Sequence, residues 1–305
     1  RRLSLNMIRK LSSGLGISAE VLIREPEQKL AQEHSIEWDR FPLSEMRKND
    51  YFPNFAGSLQ ELKEYAEEVL SGFLSSIRGG FDLEPAMLRS SAHLRSNDKE
   101  TNPYAIWAWQ ARVLQRAEQD ELNVKYEPGT VTKEWMQKLA QESWSESGPL
   151  LAKEYLNKAG IHLIFEPHLS KTYLDGAVCL NQDGNPIVAL TLRHDRLDNF
   201  WFSLMHELAH IALHIDQTET WFIDDLDAKS NDIVEDEADE LAQACLLPIT
   251  KSEILSIDDA EEIRVLAKSF NVSPCVIAGR VRHERGEHRL FGRLFRDKVK
   301  ELLLA

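Results

Sequence analysis

The chain has 305 residues, of which 43% are hydrophobic, and this is enough for two modest hydrophobic cores. Its formal net charge is −14 and its pI about 5.2, whereas compact nucleic-acid-binding proteins are usually basic, so the composition argues against such a binder built from the whole chain. The three cysteines are odd in number and widely spaced, which argues against a disulfide framework. No signal peptide or transmembrane run is predicted, so the expected location is the cytoplasm.

The first 129 residues are predicted to be mainly helical. Apolar residues at near-helical spacing predict helices over 3–11, 59–77, 84–92 and 104–117. The mostly polar stretch over 26–34 predicts a linker or an exposed helix. Trp107 and Trp109 are more typical of a hydrophobic core than of a platform for stacking bases. Pro128 and Gly129 mark a domain boundary.

Between residues 148 and 192 the pattern changes from helical to β. A helix is predicted from Gly148 to Ala159, and it is followed by three short β-rich runs, over 161–165, 177–180 and 187–192. Asp183-Gly184-Asn185 lies between the last two runs and is a hairpin-turn signal. We therefore predict an α+β fold that is mostly helical and contains a small β-sheet.

Residues 206–210 read His-Glu-Leu-Ala-His, which is the HExxH pattern, within a segment that is apolar almost all round. On an α-helix, His206 and His210 lie on one face, one turn apart, so both imidazoles can bind one metal ion. Glu207 can then reach a water on that ion and act as the general base. The alternative is a core in which the histidines bond carboxylates and Glu207 pairs with an arginine. Asp198 and Asn199 are the predicted N-caps of this helix.

A catalytic zinc site takes three protein ligands and leaves one position open, so a third ligand is needed. His214 lies about 12 Å of helix rise from His206, so we expect it to pack or to bond at the helix end. The better source is an acidic helix predicted over 231–248. Its Glu235 can bind the metal while Asp239, one turn later, accepts the spare N–H of a ligand histidine. Glu237 is a rival ligand, although it points about 160° away from that face.

The order of these motifs resembles a known family. The HExxH helix ends in Ile-Ala-Leu-His and is followed by Glu235-x-x-Ala-Asp-x-Leu-Ala-x-x-x-Leu-Leu-Pro248, which is similar to the ImmA/IrrE family of zinc metallopeptidases. The resemblance covers roughly residues 130–305. It implies a zincin-like domain of the gluzincin type, with Zn²⁺ bound by two histidines and one glutamate. The family usually has Asn where this chain has Asp239, and Phe where it has Leu241.

A second resemblance lies at the amino terminus. Residues 7–25 resemble the last helix and tail of an XRE-type helix-turn-helix domain, as in HigA-like antitoxins, and residues 104–113 are similar to fused XRE–ImmA regulators. The predicted organisation is a helix-turn-helix tail over 1–25, a helical linker or middle domain over 26–129, and the metallopeptidase domain with a basic helical C-terminus over 130–305.

Two functions are consistent with these resemblances. The first is a transcriptional regulator or antitoxin-like protein whose zinc-dependent domain hydrolyses peptide bonds in a repressor or another partner protein. The second is a non-proteolytic DNA-binding regulator whose zinc domain is sensory or structural. The expected partners are a protein or peptide substrate, DNA through the upstream helix-turn-helix, a toxin and a second copy of the chain, with no membrane. The donor for a reaction oxyanion stays open among His168, Tyr173, Arg280, His283 and His288.

Overall fold

The computed structural model describes residues 36–78, 101–215, 221–224 and 233–304. Internal contacts divide the chain into two units, residues 1–38 and 39–305, and the described helices and strands from Leu43 onward belong to the second. The helices predicted over 3–11 and 84–92, and the helix-turn-helix tail, lie outside the described residues. The predicted division at residues 129 and 130 stays a prediction.

The amino-terminal part of this unit is helical, as its apolar spacing predicts. Its helices are α1 (Leu43–Lys48), α2 (Leu59–Glu64), α3 (Ala66–Ser75) and α4 (Pro103–Gln119). The single helix predicted over 59–77 is interrupted at Tyr65, whose backbone N–H bonds the Glu61 carbonyl and ends α2 before α3 begins. Trp107 and Trp109 are both buried in the core, and the Trp109 indole donates to the Glu166 carbonyl oxygen at 3.0 Å.

A small sheet and further helices follow. Their bounds are α5 (Lys133–Gln141), α6 (Gly148–Lys158), β1 (His162–Phe165), β2 (Gly176–Leu180), β3 (Pro186–Leu190), α7 (Leu197–Leu213), β4 (Trp221–Asp224), α8 (Ile233–Leu246), α9 (Lys251–Leu255), α10 (Ala260–Phe270), α11 (Pro274–Arg285) and α12 (Lys300–Leu303). The strand order is β1-β3-β2-β4, with β1 parallel to β3 and the other pairs antiparallel. A mostly helical unit with one small mixed sheet confirms the predicted α+β class.

The main core lies between this sheet and α7. Leu163, Val178 and Val188 come from three neighbouring strands and pack in one buried cluster with Leu204 and Leu208 of α7. Alternate residues of a strand point to the same face of a sheet, so one face of the sheet covers one side of α7. Helices α8 and α11 pack against other sides of α7. The HExxH motif therefore lies inside the unit.

The start of α7 differs from the prediction. Its N-cap position is Arg196, which makes no side-chain capping bond, so capping by Asp198 or Asn199 is wrong. Asp198 instead lies buried in the first turn, where its carboxylate accepts from Nη2 of Arg282 at 2.7 Å and from Nε of Arg196 at 3.0 Å. A Cβ at Gly279 of α11 would lie 2.5 Å from Oδ2 of Asp198, so the missing side chain admits the aspartate. A buried ion pair thus joins α7 to α11.

Replacing Arg282 by alanine should lower the free energy of unfolding by about 3 kcal/mol, because the buried carboxylate of Asp198 loses one of its two arginine partners among the described residues and keeps Arg196. Denaturant unfolding followed by circular dichroism measures this change. The matched control is Arg296→Ala, which removes an exposed arginine and should change stability by less than about 0.5 kcal/mol. Equal stability of the two variants would contradict a structural role for the Asp198–Arg282 pair.

Candidate metal centre

Helices α7 and α8 bring three possible metal ligands, His206, His210 and Glu235, to one place, which we call the ligand point. Nε2 of His206 lies 3.0 Å from Nε2 of His210, and Oε2 of Glu235 lies 3.3 Å from the first nitrogen and 3.7 Å from the second. All three residues are buried. Ligand atoms bound to a tetrahedral zinc ion at roughly 2.0–2.2 Å are about 3.3–3.5 Å apart, so the size of this donor set fits zinc.

The local folds of the two helices explain the convergence. The two histidines are one turn apart on α7, and Glu235 lies in the first turn of α8, which packs alongside. Asp239, one turn further along α8, accepts a hydrogen bond from Nδ1 of His206 at 2.8 Å. A proton held on Nδ1 leaves the lone pair of Nε2 directed at the ligand point.

The two rival ligands lie elsewhere. His214 is the C-cap of α7, and its Nδ1 contacts Nδ1 of His210 at 3.1 Å, on the side of that ring away from the ligand point. Glu237 has a side chain that is 57% exposed and contacts Nε2 of His214 at 3.1 Å. The two rivals therefore contact each other, and neither belongs to the three-residue cluster.

Glu207 is completely buried and lies against strand β2. A Cβ at Gly176 would stand 2.1 Å from Oε1 of this glutamate and 2.9 Å from its Cδ. The strand can therefore approach the carboxylate only because residue 176 has no side chain. Gly176 was not predicted from the sequence, since nothing in the local pattern of a strand shows which helix residue faces it.

An aromatic ring of β4 also contacts the site. Phe222 stacks on the imidazole of His210, with ring centroids 4.9 Å apart and planes 18° from parallel. This strand was not predicted from the sequence either. The available signal was the short aromatic and β-branched run Trp221–Asp224.

The candidates for the oxyanion donor differ in their surroundings. Arg280 of α11 is partly buried and bonds Glu284, and burial lowers its pKa, while the carboxylates of Glu284 and Asp239 oppose that shift. Arg280 therefore interacts electrostatically with Asp239, the residue that accepts the hydrogen bond of His206. His283 and His288 are exposed.

The cysteines do not offer a competing nucleophile. Cys179, Cys245 and Cys275 are free and buried. Burial raises the pKa of all three thiols, to about 11 for Cys245 and Cys275. The thiols are therefore protonated at neutral pH, and a protonated thiol is a poor nucleophile.

Comparison with known proteins supports a peptidase-type domain. Residues 156–282 match the Peptidase_M78 family model, which is described as the IrrE N-terminal-like domain. The matched range contains the sheet and both helices of the candidate centre. No curated protein matches the chain. The metallopeptidase part of the predicted resemblance is thus supported, while the helix-turn-helix part stays a prediction. Among the described residues, no helix is both long enough and apolar enough to span a membrane.

Replacing Gly176 by alanine should lower the free energy of unfolding by about 1–3 kcal/mol, because the added methyl group must displace the buried carboxylate of Glu207. Thermal or denaturant unfolding measures the loss. Gly72→Ala is the matched control: a Cβ there meets no atom within 4 Å, and alanine in a helix should be neutral or stabilising by up to about 1 kcal/mol. A Gly176→Ala variant as stable as the parent would contradict the close approach.

Proposed function

We propose that this chain is a zinc-dependent metallopeptidase in which His206, His210 and Glu235 hold the metal and Glu207 is the general base. The observation that carries the proposal is the convergence of two imidazole nitrogens and one carboxylate oxygen within 3.0–3.7 Å, with the buried Glu207 following the first histidine in the same helix. Structural zinc sites usually have four protein ligands, whereas catalytic ones have three and keep one open position. The family match over this region supports the same reading.

The positions of the side chains support a separate role for each residue in the proposed reaction. A zinc ion, when bound, supplies a Lewis acid that polarises the scissile carbonyl and acidifies water. Glu207 accepts the proton of the attacking water and passes it to the leaving amine. Gly176 leaves room for this carboxylate, so its place is fixed by the packing of β2 on α7. Asp239 holds the tautomer of His206 that a metal ligand requires.

The finer role that we propose is regulatory. The similarity of residues 7–25 and 104–113 to XRE–ImmA regulators supports a transcriptional regulator or antitoxin-like protein located in the cytoplasm. Its substrate would be a repressor or another partner protein, and its DNA contacts would come from the helix-turn-helix. A toxin partner and a homodimer belong to the same proposal.

The purified chain should contain one equivalent of zinc, and His206→Ala should lose it, because two remaining ligands bind the ion far more weakly than three. Elemental analysis after incubation with Zn²⁺ and removal of excess metal measures the stoichiometry. His288→Ala, which removes an exposed histidine, is the control and should retain the metal. A parent chain without bound zinc, or a His206→Ala variant that keeps it, would contradict the assignment.

Glu207→Gln should keep the zinc and lose peptide cleavage by about 10²–10⁴-fold, since an amide cannot accept the proton of the attacking water. Cleavage is measured on a peptide library by mass spectrometry, with metal content determined on the same samples. Glu240→Gln alters an exposed carboxylate of α8 and should leave both quantities unchanged. Cleavage that survives in Glu207→Gln would refute this mechanism.

A further inference from the structure

We infer that His214 and Glu237 are positioning residues, which hold the imidazole of His210 in the tautomer and orientation needed to bind the metal. The inference rests on the proposed function, because it takes His210 to be a ligand. It gives a specific role to His214, which the sequence predicted to pack or to bond at the helix end, and to Glu237, which the sequence offered as a rival ligand. The three residues form a continuous chain of contacts running from the ligand point to the surface.

The protonation states along this chain follow from one requirement. Nε2 of His210 is directed at the ligand point, 3.0 Å from Nε2 of His206; to bind the metal, this nitrogen must present its lone pair, so the proton must sit on Nδ1. That Nδ1 lies 3.1 Å from Nδ1 of His214, which must therefore accept the hydrogen bond. The proton of His214 is then on its Nε2, and the carboxylate of Glu237 accepts it at 3.1 Å. All the hydrogen bonds run in one direction and end on a negative charge.

The two ligand histidines thus receive carboxylate support from the same helix in different ways. His206 donates directly to Asp239 at 2.8 Å, whereas His210 reaches Glu237 through His214. Helix α8 consequently supplies three carboxylates to the site: one ligand and two supports. The acidic residues in the first two turns of α8 therefore have specific partners in α7 and at its C-cap, in addition to any favourable interaction with the helix dipole.

Burial and ring packing strengthen the contact between His210 and His214 and restrict the orientation of the His210 ring. The side chain of His210 is fully buried and that of His214 is 11% exposed, so their hydrogen bond lies in a region of low dielectric, where such bonds are stronger. Phe222 stacks on His210 at 4.9 Å and lies 6.2 Å from the His214 ring. The phenyl ring limits tilting of the imidazole, while His214 sets its rotation about the side-chain axis.

The test is the affinity of the 305-residue chain for Zn²⁺, measured by competition with a chromogenic chelator. His214→Phe keeps a ring beside Phe222 but cannot accept a hydrogen bond, and its affinity should fall by about 10–100-fold. Glu237→Gln should cause a smaller loss, because its amide oxygen still accepts but the charge-assisted bond is gone. Glu240→Gln, on an exposed position of the same helix, should match the parent.

Two further readouts separate positioning from a general structural effect. In the double variant, Glu237→Gln should cause no additional loss of affinity once His214→Phe is present, because Glu237 acts only through His214. The thermal unfolding midpoint of the metal-free chain should be unchanged by Glu237→Gln. Replacing Zn²⁺ by Co²⁺ should give a visible absorption spectrum that differs between the parent and His214→Phe.

The outcomes distinguish this inference from the proposed function. A parent chain that binds no metal would overturn both. A parent that binds Zn²⁺ while His214→Phe binds it equally well would overturn only the positioning role. Additive losses in the double variant would also overturn it, since they would mean that Glu237 acts independently of His214.

Discussion

Helix α7 places two histidines and a glutamate in the apolar interior of the domain, where their burial is energetically unfavourable. The elements packed around α7 supply the interactions that offset this burial. Imidazole and carboxylate groups lose water when they are buried and are tolerated only if hydrogen bonds, opposite charges or a metal replace it. For the histidines, compensation comes from α8, whose Glu235 and Asp239 contact α7. The packing of α7 on α8 is therefore the contact on which the site depends.

The other neighbours of α7 fix its position relative to that acidic helix. The sheet covers one side with aliphatic residues and, at Gly176, with no side chain at all, so that Glu207 can lie against the strand. On another side, the buried Asp198–Arg282 pair joins the first turn of α7 to α11. A helix held both by apolar packing and by a charged pair has little freedom to rotate, and rotation of α7 would separate the histidines from Glu235.

Several parts of this arrangement could be predicted because they depend on local pattern. The apolar residues predicted α4, and Pro149 near the start and Gly160 at the end predicted α6. The β-rich runs predicted β1 to β3, and the HExxH spacing placed two histidines on one face of a helix. Other parts failed or were missed because they depend on partners distant in sequence. Asp198 looks like an N-cap until Arg282, 84 residues later, is seen beside it. Strand β4 is short, and its place is set by pairing with β2 rather than by its own four residues.

The sequence by itself determined the chemistry of the domain: the residue types, their helical spacing and their order follow from periodicity and from a motif whose members lie within single helices. The sequence favoured Glu235 over Glu237 and left the second as a rival. The tertiary structure brings Glu235 to the histidines, because the contact depends on how α8 is rotated against α7. It likewise placed Phe222 and Gly176 at the site, since a contact between segments is set by packing of the whole core and leaves no local pattern in either one.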